Sequence, residues 1–189
     1  MNLGENISNA FQVVKKTYEN IDKLISYCIT ASEKETHFVP AVTKFLRYRS
    51  DNDWQGWLTQ EFFLLFQDKE SKKLKNGWRN GPVYVLEINM TEDNEPMVIV
   101  SKFEYEDISS WNAGCSPASY WAFYDPLRDE TMNCQKDGDI NILTPLAAAA
   151  QKSSKDYWGI SKISYKKFPL ADITAENAKD IIFNTFHML

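Results

Sequence analysis

The hydrophobic and polar positions at the start of the chain recur with the period of an α-helix. From Glu5 onward, apolar side chains follow one another at steps of four and three residues. This apolar seam consists of Ile7, Phe11, Val14, Tyr18, Ile21, Ile25 and Cys28. Such spacing places the side chains on one face and predicts a long amphipathic helix over residues 5–31. The seam serves either as the core-facing side of that helix or as a contact with a second copy or another partner.

In the middle of the chain the period changes to two residues. The first alternating stretch covers residues 83–90, with Glu87 and Asn89 on its polar side, and the second covers residues 97–107. The short connection between them contains Asp, Asn and Pro, which favour a tight turn. The pattern therefore predicts an antiparallel hairpin over residues 82–107, with one face buried, at the centre of the fold.

The rest of the chain predicts shorter elements. They are helices near 42–49, from about 54 to 66 and after Thr144-Pro145, strands at 120–124 and 157–168, and a C-terminal helix that begins at Thr174. This order is typical of an α+β protein. We predict a single domain over residues 1–189, in which an antiparallel sheet of about four strands packs with the N-terminal and C-terminal helices.

Composition and charge argue against several function classes. The chain has 189 residues and a formal net charge of −5, whereas binding to phosphates relies on concentrated Lys and Arg. We therefore expect no nucleic-acid partner. Charged residues near the N-terminus, and the lack of an apolar run of about 18 residues, predict neither a signal peptide nor a membrane span. Cys28, Cys115 and Cys134 form neither a disulfide framework nor a zinc pattern, so the expected compartment is the cytoplasm.

Candidate catalytic groups are few. His37 and His187 are the two histidines, each isolated in sequence from other metal ligands, so we expect neither a metal nor another cofactor. Cys115 is the one candidate nucleophile, because the residues after it could open a helical turn that lowers the pKa of its thiol. Its base would have to be one of the two histidines. The balance of these signals is against an enzyme.

A metal-dependent nuclease is the alternative enzymatic hypothesis. Glu61, on a helix before the hairpin, and Glu87, on its first strand, would supply carboxylates for Mg²⁺, an arrangement used by restriction-type nucleases. Those enzymes also carry an acidic residue, any residue and then Lys on a strand. Here that spacing occurs as Glu70-Ser71-Lys72 in a basic loop.

By elimination, the sequence favours a protein-binding or regulatory protein. Aromatic residues make up 14% of the chain, with six Trp, and Trp and Arg are enriched among interface anchors. One loop supplies Trp78 and Arg79 as interface candidates, and another supplies Trp111 and Asn112. The alternative for each Trp is a side chain folded back over the sheet edge. A structural oligomer held together by the apolar seam is the third hypothesis, so we expect a protein partner or a homo-oligomer.

Overall fold

One antiparallel sheet runs through the molecule. The computed structural model describes residues 2–111, 115–147 and 157–189, and of Asp93 only the backbone. Within this part of the chain, seven strands pair in the order β1-β2-β3-β4-β7-β6-β5. The strands are β1 (Phe38–Pro40), β2 (Glu61–Asp68), β3 (Val83–Asn89), β4 (Met97–Tyr105), β5 (Met132–Asp137), β6 (Ile140–Pro145) and β7 (Ile160–Pro169). The predicted α+β class and antiparallel sheet are confirmed, but the prediction of about four strands is wrong.

Helices occupy both ends of the chain. The long helix α1 (Leu3–Glu35) contains the helix predicted over residues 5–31. The short helices are α2 (Trp121–Tyr124) and α3 (Thr185–Met188), and α3 continues a π-helical turn over Asp180–Asn184. In the described ranges, no helix is both long and apolar enough to cross a membrane.

A reciprocal cap begins α1. The side chain of Asn2 accepts a hydrogen bond from the Glu5 backbone N–H at 2.9 Å, and the Glu5 carboxylate accepts one from the Asn2 backbone N–H at 3.0 Å. These bonds satisfy two of the backbone N–H groups that the first turn of a helix leaves free. The helix therefore begins at a defined residue, even though its first turns are exposed.

The sheet is covered on both sides. On one side α1 and the C-terminal helices form a core with residues that include Ile21, Ile25, Cys28, Phe62, Leu64, Phe66, Leu86, Ile88, Ile182 and Phe186. The core on the other side lies against α2 and the loops around it and includes Phe63, Leu65, Val83, Val85, Phe103, Phe123 and Ile163. The β3–β4 hairpin is confirmed, but Glu87 and Asn89, on its predicted polar side, are buried on this second side.

Two apolar stretches have the opposite secondary structure from the one predicted. The helix expected from 54 to 66 is a short 3-10 turn, Trp54–Trp57, followed by β2. The central residues of β2 are buried on both sides of the sheet, and periodicity alone does not separate such a run from a buried helix. Conversely, the strand expected at 120–124 is helical, because a 3-10 turn at Pro117–Tyr120 leads directly into α2.

Two further helix predictions differ from the structure at the residues that it describes. Leu46, within the helix expected near 42–49, exchanges two backbone hydrogen bonds of 2.9 Å with Phe63 and so extends the sheet locally. The Thr144-Pro145 pair ends β6 and pairs with β5 instead of starting a helix, and residues 148–156 of that predicted helix lie outside the described residues. In both cases pairing with another strand outweighs the local pattern.

Candidate functional site

The apolar seam of α1 lies in two different environments. Its C-terminal part, from Tyr18 to Cys28, packs on the sheet. Ile21, Ile25 and Cys28 are buried there. Tyr18 donates its hydroxyl to the backbone carbonyl of Thr59 at 2.9 Å. This part of the seam is core, as one of the two interpretations of the sequence predicted.

The N-terminal part of α1, residues 3–17, is named here the overhang and is about 22 Å long. Its seam residues Ile7 and Phe11 are 51% and 69% exposed, and Leu3 continues the same face in solvent. Val14, closest to the packed part, is half-buried. The apolar stripe therefore continues for about three turns beyond the point at which the described part of the chain covers it.

An exposed aromatic turn is attached to α1 at Tyr18, one residue beyond the overhang. Trp57 is 72% exposed, and Leu58 after it is also exposed. The hydroxyl of Tyr18 donates to the backbone carbonyl of Thr59, the residue after Leu58. This bond anchors the turn to α1. A Cβ on Gly56 would lie 2.2 Å from the backbone nitrogen of Ser50, so only glycine fits where the chain folds so tightly. The sequence predicted that Trp57 lies in a helix from about 54 to 66, so it did not indicate this exposed surface.

The two tryptophan loops predicted as interfaces are folded onto the sheet. Trp78 and Trp111 are 3% and 8% exposed, and their rings meet edge to face with centroids 5.0 Å apart. The Trp111 indole donates to the Trp158 carbonyl at 3.1 Å. Asn76 joins the loops, because its side-chain amide donates to the carbonyls of Ile108 and Trp111 at 2.9 and 3.1 Å. The folded-back alternative describes both indoles, which leave little surface for a partner.

Arg79 is used within the fold as well. Its guanidinium donates to the carbonyls of Lys69 and Ser71 at 2.7 and 2.8 Å, and its backbone N–H donates to the Gln67 side chain at 2.8 Å. These bonds fix the loop between β2 and β3. Asn112 lies outside the described residues. A partner-binding role for these loops stays a prediction.

A buried ion-pair cluster lies near the turn of the hairpin. Arg128 binds the fully buried carboxylate of Glu87 at 2.7 Å and also binds Glu92. Lys167 binds the second oxygen of Glu92 at 2.7 Å. The guanidinium carbon of Arg128 lies 3.8 Å from the ring centroid of Tyr124. Each charge in the cluster therefore has an opposite charge in contact with it.

The pKa shifts in this cluster follow from burial and pairing. Burial raises the pKa of Glu87, and the nearby Arg128 works against that rise. Burial alone would lower the pKa of Arg128, but its two carboxylate partners raise it, so the guanidinium stays charged. Burial also opposes the charge of Glu92, yet hydrogen bonds from Lys167 and Arg128 outweigh it and lower the pKa of Glu92.

This pairing bears on the nuclease hypothesis. The hypothesis needs the Glu87 carboxylate to face Mg²⁺, and Arg128 occupies that carboxylate. Among the described residues, no three His, Cys, Asp or Glu side chains are grouped so that they could hold a metal ion. The geometry thus gives the nuclease hypothesis no support.

Glu61 lies next to the cluster, in an open pocket of about 310 Å³. The pocket is lined by Tyr48, Trp54, Tyr120 and Tyr124 together with Gln60 and Glu61. Burial raises the pKa of the Glu61 carboxyl, and the charge of Arg128 partly offsets this. The sequence singled out Glu61 as a metal ligand but missed the four rings, because they come from three separate segments of the chain.

Known proteins offer no guide to these surfaces. No family model, curated protein or solved structure matches this chain. The function of these surfaces is therefore inferred from their own chemistry.

Cys115 does not have the environment of a nucleophile. Burial raises the pKa of its thiol to about 12, whereas the sequence predicted a lowered pKa. His37 and His187 lie together with ring centroids 6.1 Å apart, and His187 packs against Phe38 in the core on the α1 side. Cys115 contacts the core on the opposite side of the sheet, so neither histidine is placed to act as its base.

Proposed function

We propose that this protein works by binding another protein chain, and that the occupant of its contact surface is a second copy of itself. The contact surface consists of the apolar side of the overhang (Leu3, Ile7 and Phe11) and the adjoining Trp57 and Leu58. The observation that carries the proposal is the continuation of a buried apolar stripe into solvent along one uninterrupted helix.

The size of this surface suits a dimer. An interface of ordinary size buries about 800 Å² per partner, of which somewhat more than half is apolar. An aromatic side chain removes about 150–250 Å² from solvent when it is fully buried. Phe11 and Trp57, at their observed exposure, would supply roughly 200–350 Å² of this. The exposed aliphatic side chains of Leu3, Ile7 and Leu58 bring the apolar area of the contact surface to the range that a dimer needs.

The apolar stripe of the overhang is complementary to itself. In a two-fold symmetric antiparallel pair, Ile7 of each copy faces Val14 of the other. The charged side chains of Glu5 and Lys16 lie roughly 160–180° around the helix from Ile7, so they stay in solvent on the side away from the partner. The occupant that fits is therefore a second copy related by a two-fold axis.

The test is the solution mass of the full chain, measured by light scattering and sedimentation over a range of concentrations. We expect the native protein to have twice the monomer mass and Phe11→Asp to be a folded monomer. Gln12→Asp is the matched control, because Gln12 is exposed on the opposite side of the same turn and its variant should remain dimeric.

Two results would overturn the proposal. One is a native protein that is monomeric at every concentration. The other is a dimer that Phe11→Asp leaves intact, since the contact would then lie elsewhere. Circular dichroism of each variant confirms that the chain remains folded.

A further inference from the structure

The pocket around Glu61 combines an aromatic wall with a carboxylate. Three of its rings come in close succession: Tyr48 and Tyr120 have centroids 5.7 Å apart at 58°, and Tyr120 and Tyr124 have centroids 6.2 Å apart at 55°. Trp54 borders the pocket from the exposed side. One face of the Tyr124 ring is taken by the Arg128 guanidinium, whose carbon lies 3.8 Å from the ring centroid, so the rings left for a ligand are those of Tyr48, Trp54 and Tyr120. Tyr48 and Tyr120 are inclined to each other, whereas a flat ligand such as a nucleobase is bound best by a parallel stacking surface.

The aromatic wall is held in place before any ligand arrives. The hydroxyl of Tyr48 donates to Asp53 at 2.9 Å, and Asp53 also accepts a hydrogen bond from the Gly56 N–H at 3.1 Å. Behind the wall, the buried ring of Phe63 packs against both Tyr120 and Tyr124 with centroids 6.3 Å away. A pocket with a fixed shape loses little conformational entropy on binding.

The electrostatic balance of the pocket is negative. Arg128 and Lys167 are engaged by Glu87 and Glu92 in the neighbouring cluster. Glu61 stands apart from these pairs: within the described ranges its carboxylate has no side-chain partner. Three carboxylates therefore stand against two cations, and the uncompensated one faces the aromatic pocket.

We propose that this pocket binds the ammonium head of an organic cation, with a quaternary or methylated ammonium group as the best fit. The faces of Tyr and Trp rings attract a cation through their quadrupoles, and a methylated ammonium group gives up less hydration than a primary one when it enters. Glu61 supplies the opposite charge at the base of the pocket. A volume of about 310 Å³ accommodates such a head and the first atoms attached to it.

The test uses tetramethylammonium chloride as the probe and the tryptophan indole signals of the isotope-labelled full chain in NMR as the readout. Trp54→Phe identifies the Trp54 signal. We expect that signal to shift with a dissociation constant on the order of 1 mM, and sodium chloride at the same concentrations to leave it unchanged.

Two pairs of variants separate charge from shape. Glu61→Gln keeps the shape of the side chain and should weaken binding about tenfold, whereas Glu70→Gln, in an exposed loop, should have no effect. Tyr48→Phe keeps the ring and should retain most of the affinity, whereas Tyr48→Leu should lose it. Phe11→Asp should bind the probe as the native protein does, so this test is independent of the proposed dimer.

Three results would overturn the inference. They are an absence of saturable binding, equal affinity in Glu61→Gln and the native protein, and equal affinity for tert-butanol, which resembles the probe in shape but carries no charge. The last result would mark an apolar cleft instead of a cation site. Glu61→Gln removes the charge of a half-buried side chain without changing its shape. It therefore tests the role of the charge even if Tyr48→Leu does not fold.

Discussion

The two halves of α1 carry the same apolar stripe in different surroundings. From Tyr18 onward the stripe is buried against β2 and the C-terminal helices, whereas in the overhang Ile7 and Phe11 are exposed. The spacing of apolar residues does not change at the boundary. A helical pattern thus shows which side of a helix is apolar, but what covers that side depends on the rest of the molecule.

The same contrast holds for the tryptophans. Trp78 and Trp111 stand among Gly, Ser and Asn in sequence yet are buried, whereas Trp57 fits the apolar spacing of a helix yet is exposed. The sequence predicted the reverse in each case. Whether an indole is covered depends on loops that are distant in sequence, such as the one that Asn76 binds next to Trp111.

The largest difference between covered and uncovered residues is expected in thiol reactivity. Cys28 ends the buried part of the seam, and burial raises the pKa of its thiol to about 12, whereas Cys134 is exposed on β5. We expect a thiol-specific reagent to label Cys134 faster than Cys28 by on the order of a thousandfold or more in the native protein, because Cys28 reacts only after the chain opens.

Mass spectrometry of the labelled peptides over time measures this difference. In denaturant the two thiols should react at similar rates, and Cys134→Ser should remove the fast phase. Rapid labelling of Cys28 under native conditions would show that the C-terminal half of α1 is not held against the sheet, and the comparison between the halves would fail.

The next contrast is in stability and uses one substitution at two positions of the seam. Ile21→Ala, in the covered half, should reduce the free energy of unfolding by about 2–5 kcal/mol, because it leaves a cavity in the core. Ile7→Ala, in the overhang, should change it by no more than about 0.5 kcal/mol at protein concentrations where the chain is monomeric. Urea denaturation followed by circular dichroism measures both values.

At higher concentration the difference between the two variants should narrow. The native chain then gains stability from dimer formation, because the dimer forms only from folded chains, and Ile7→Ala loses part of that gain because it weakens the dimer. Equal losses for Ile7→Ala and Ile21→Ala at low concentration would instead place the overhang in a core of the same chain.

The smallest expected effect concerns charge on the side of the overhang away from the stripe. Lys16 lies roughly 180° around the helix from Ile7 and binds Glu19 at 3.0 Å. Lys16→Gln should therefore change the dissociation constant of the dimer by no more than about twofold, since the exposed pair lies away from the partner. Sedimentation at low salt measures this constant.

Glu5→Gln is the second variant of this series, because Gln also completes the reciprocal cap at Asn2 while removing the charge. Its dimer should be as stable as that of the native protein. A dimer weakened more than about tenfold by either variant would place the contact on the other side of α1 and reject pairing along the stripe.

The secondary structure was predictable where one side of an element is apolar and the other polar. The long N-terminal helix, the β3–β4 hairpin and the antiparallel α+β class follow from such patterns. The prediction failed at β2 and near Leu46, where burial on both sides or pairing with a distant strand replaces periodicity. The strand count was underestimated because β2 was predicted as a helix and because β1, β5 and β6 were not predicted.

The site was predictable only in part. Glu61 and Glu87 stood out as acids around the hairpin, yet their roles depend on Arg128, which approaches Glu87 from about forty residues later in the chain. The three tyrosines and Trp54 around Glu61 carry no joint signal in the sequence, because no fixed spacing relates them. Contacts of this kind appear only after the chain has folded.

The sequence by itself determined the local conformations: the period of α1 and the alternation of the hairpin strands. These depend on neighbours within a few residues, so they can be inferred from the order of side chains. The tertiary structure alone decided which half of the seam is covered, which tryptophans are buried and which carboxylate pairs with Arg128. Burial and electrostatic pairing depend on residues brought together from distant positions, and the distances between those residues are set by the whole sheet and its two layers.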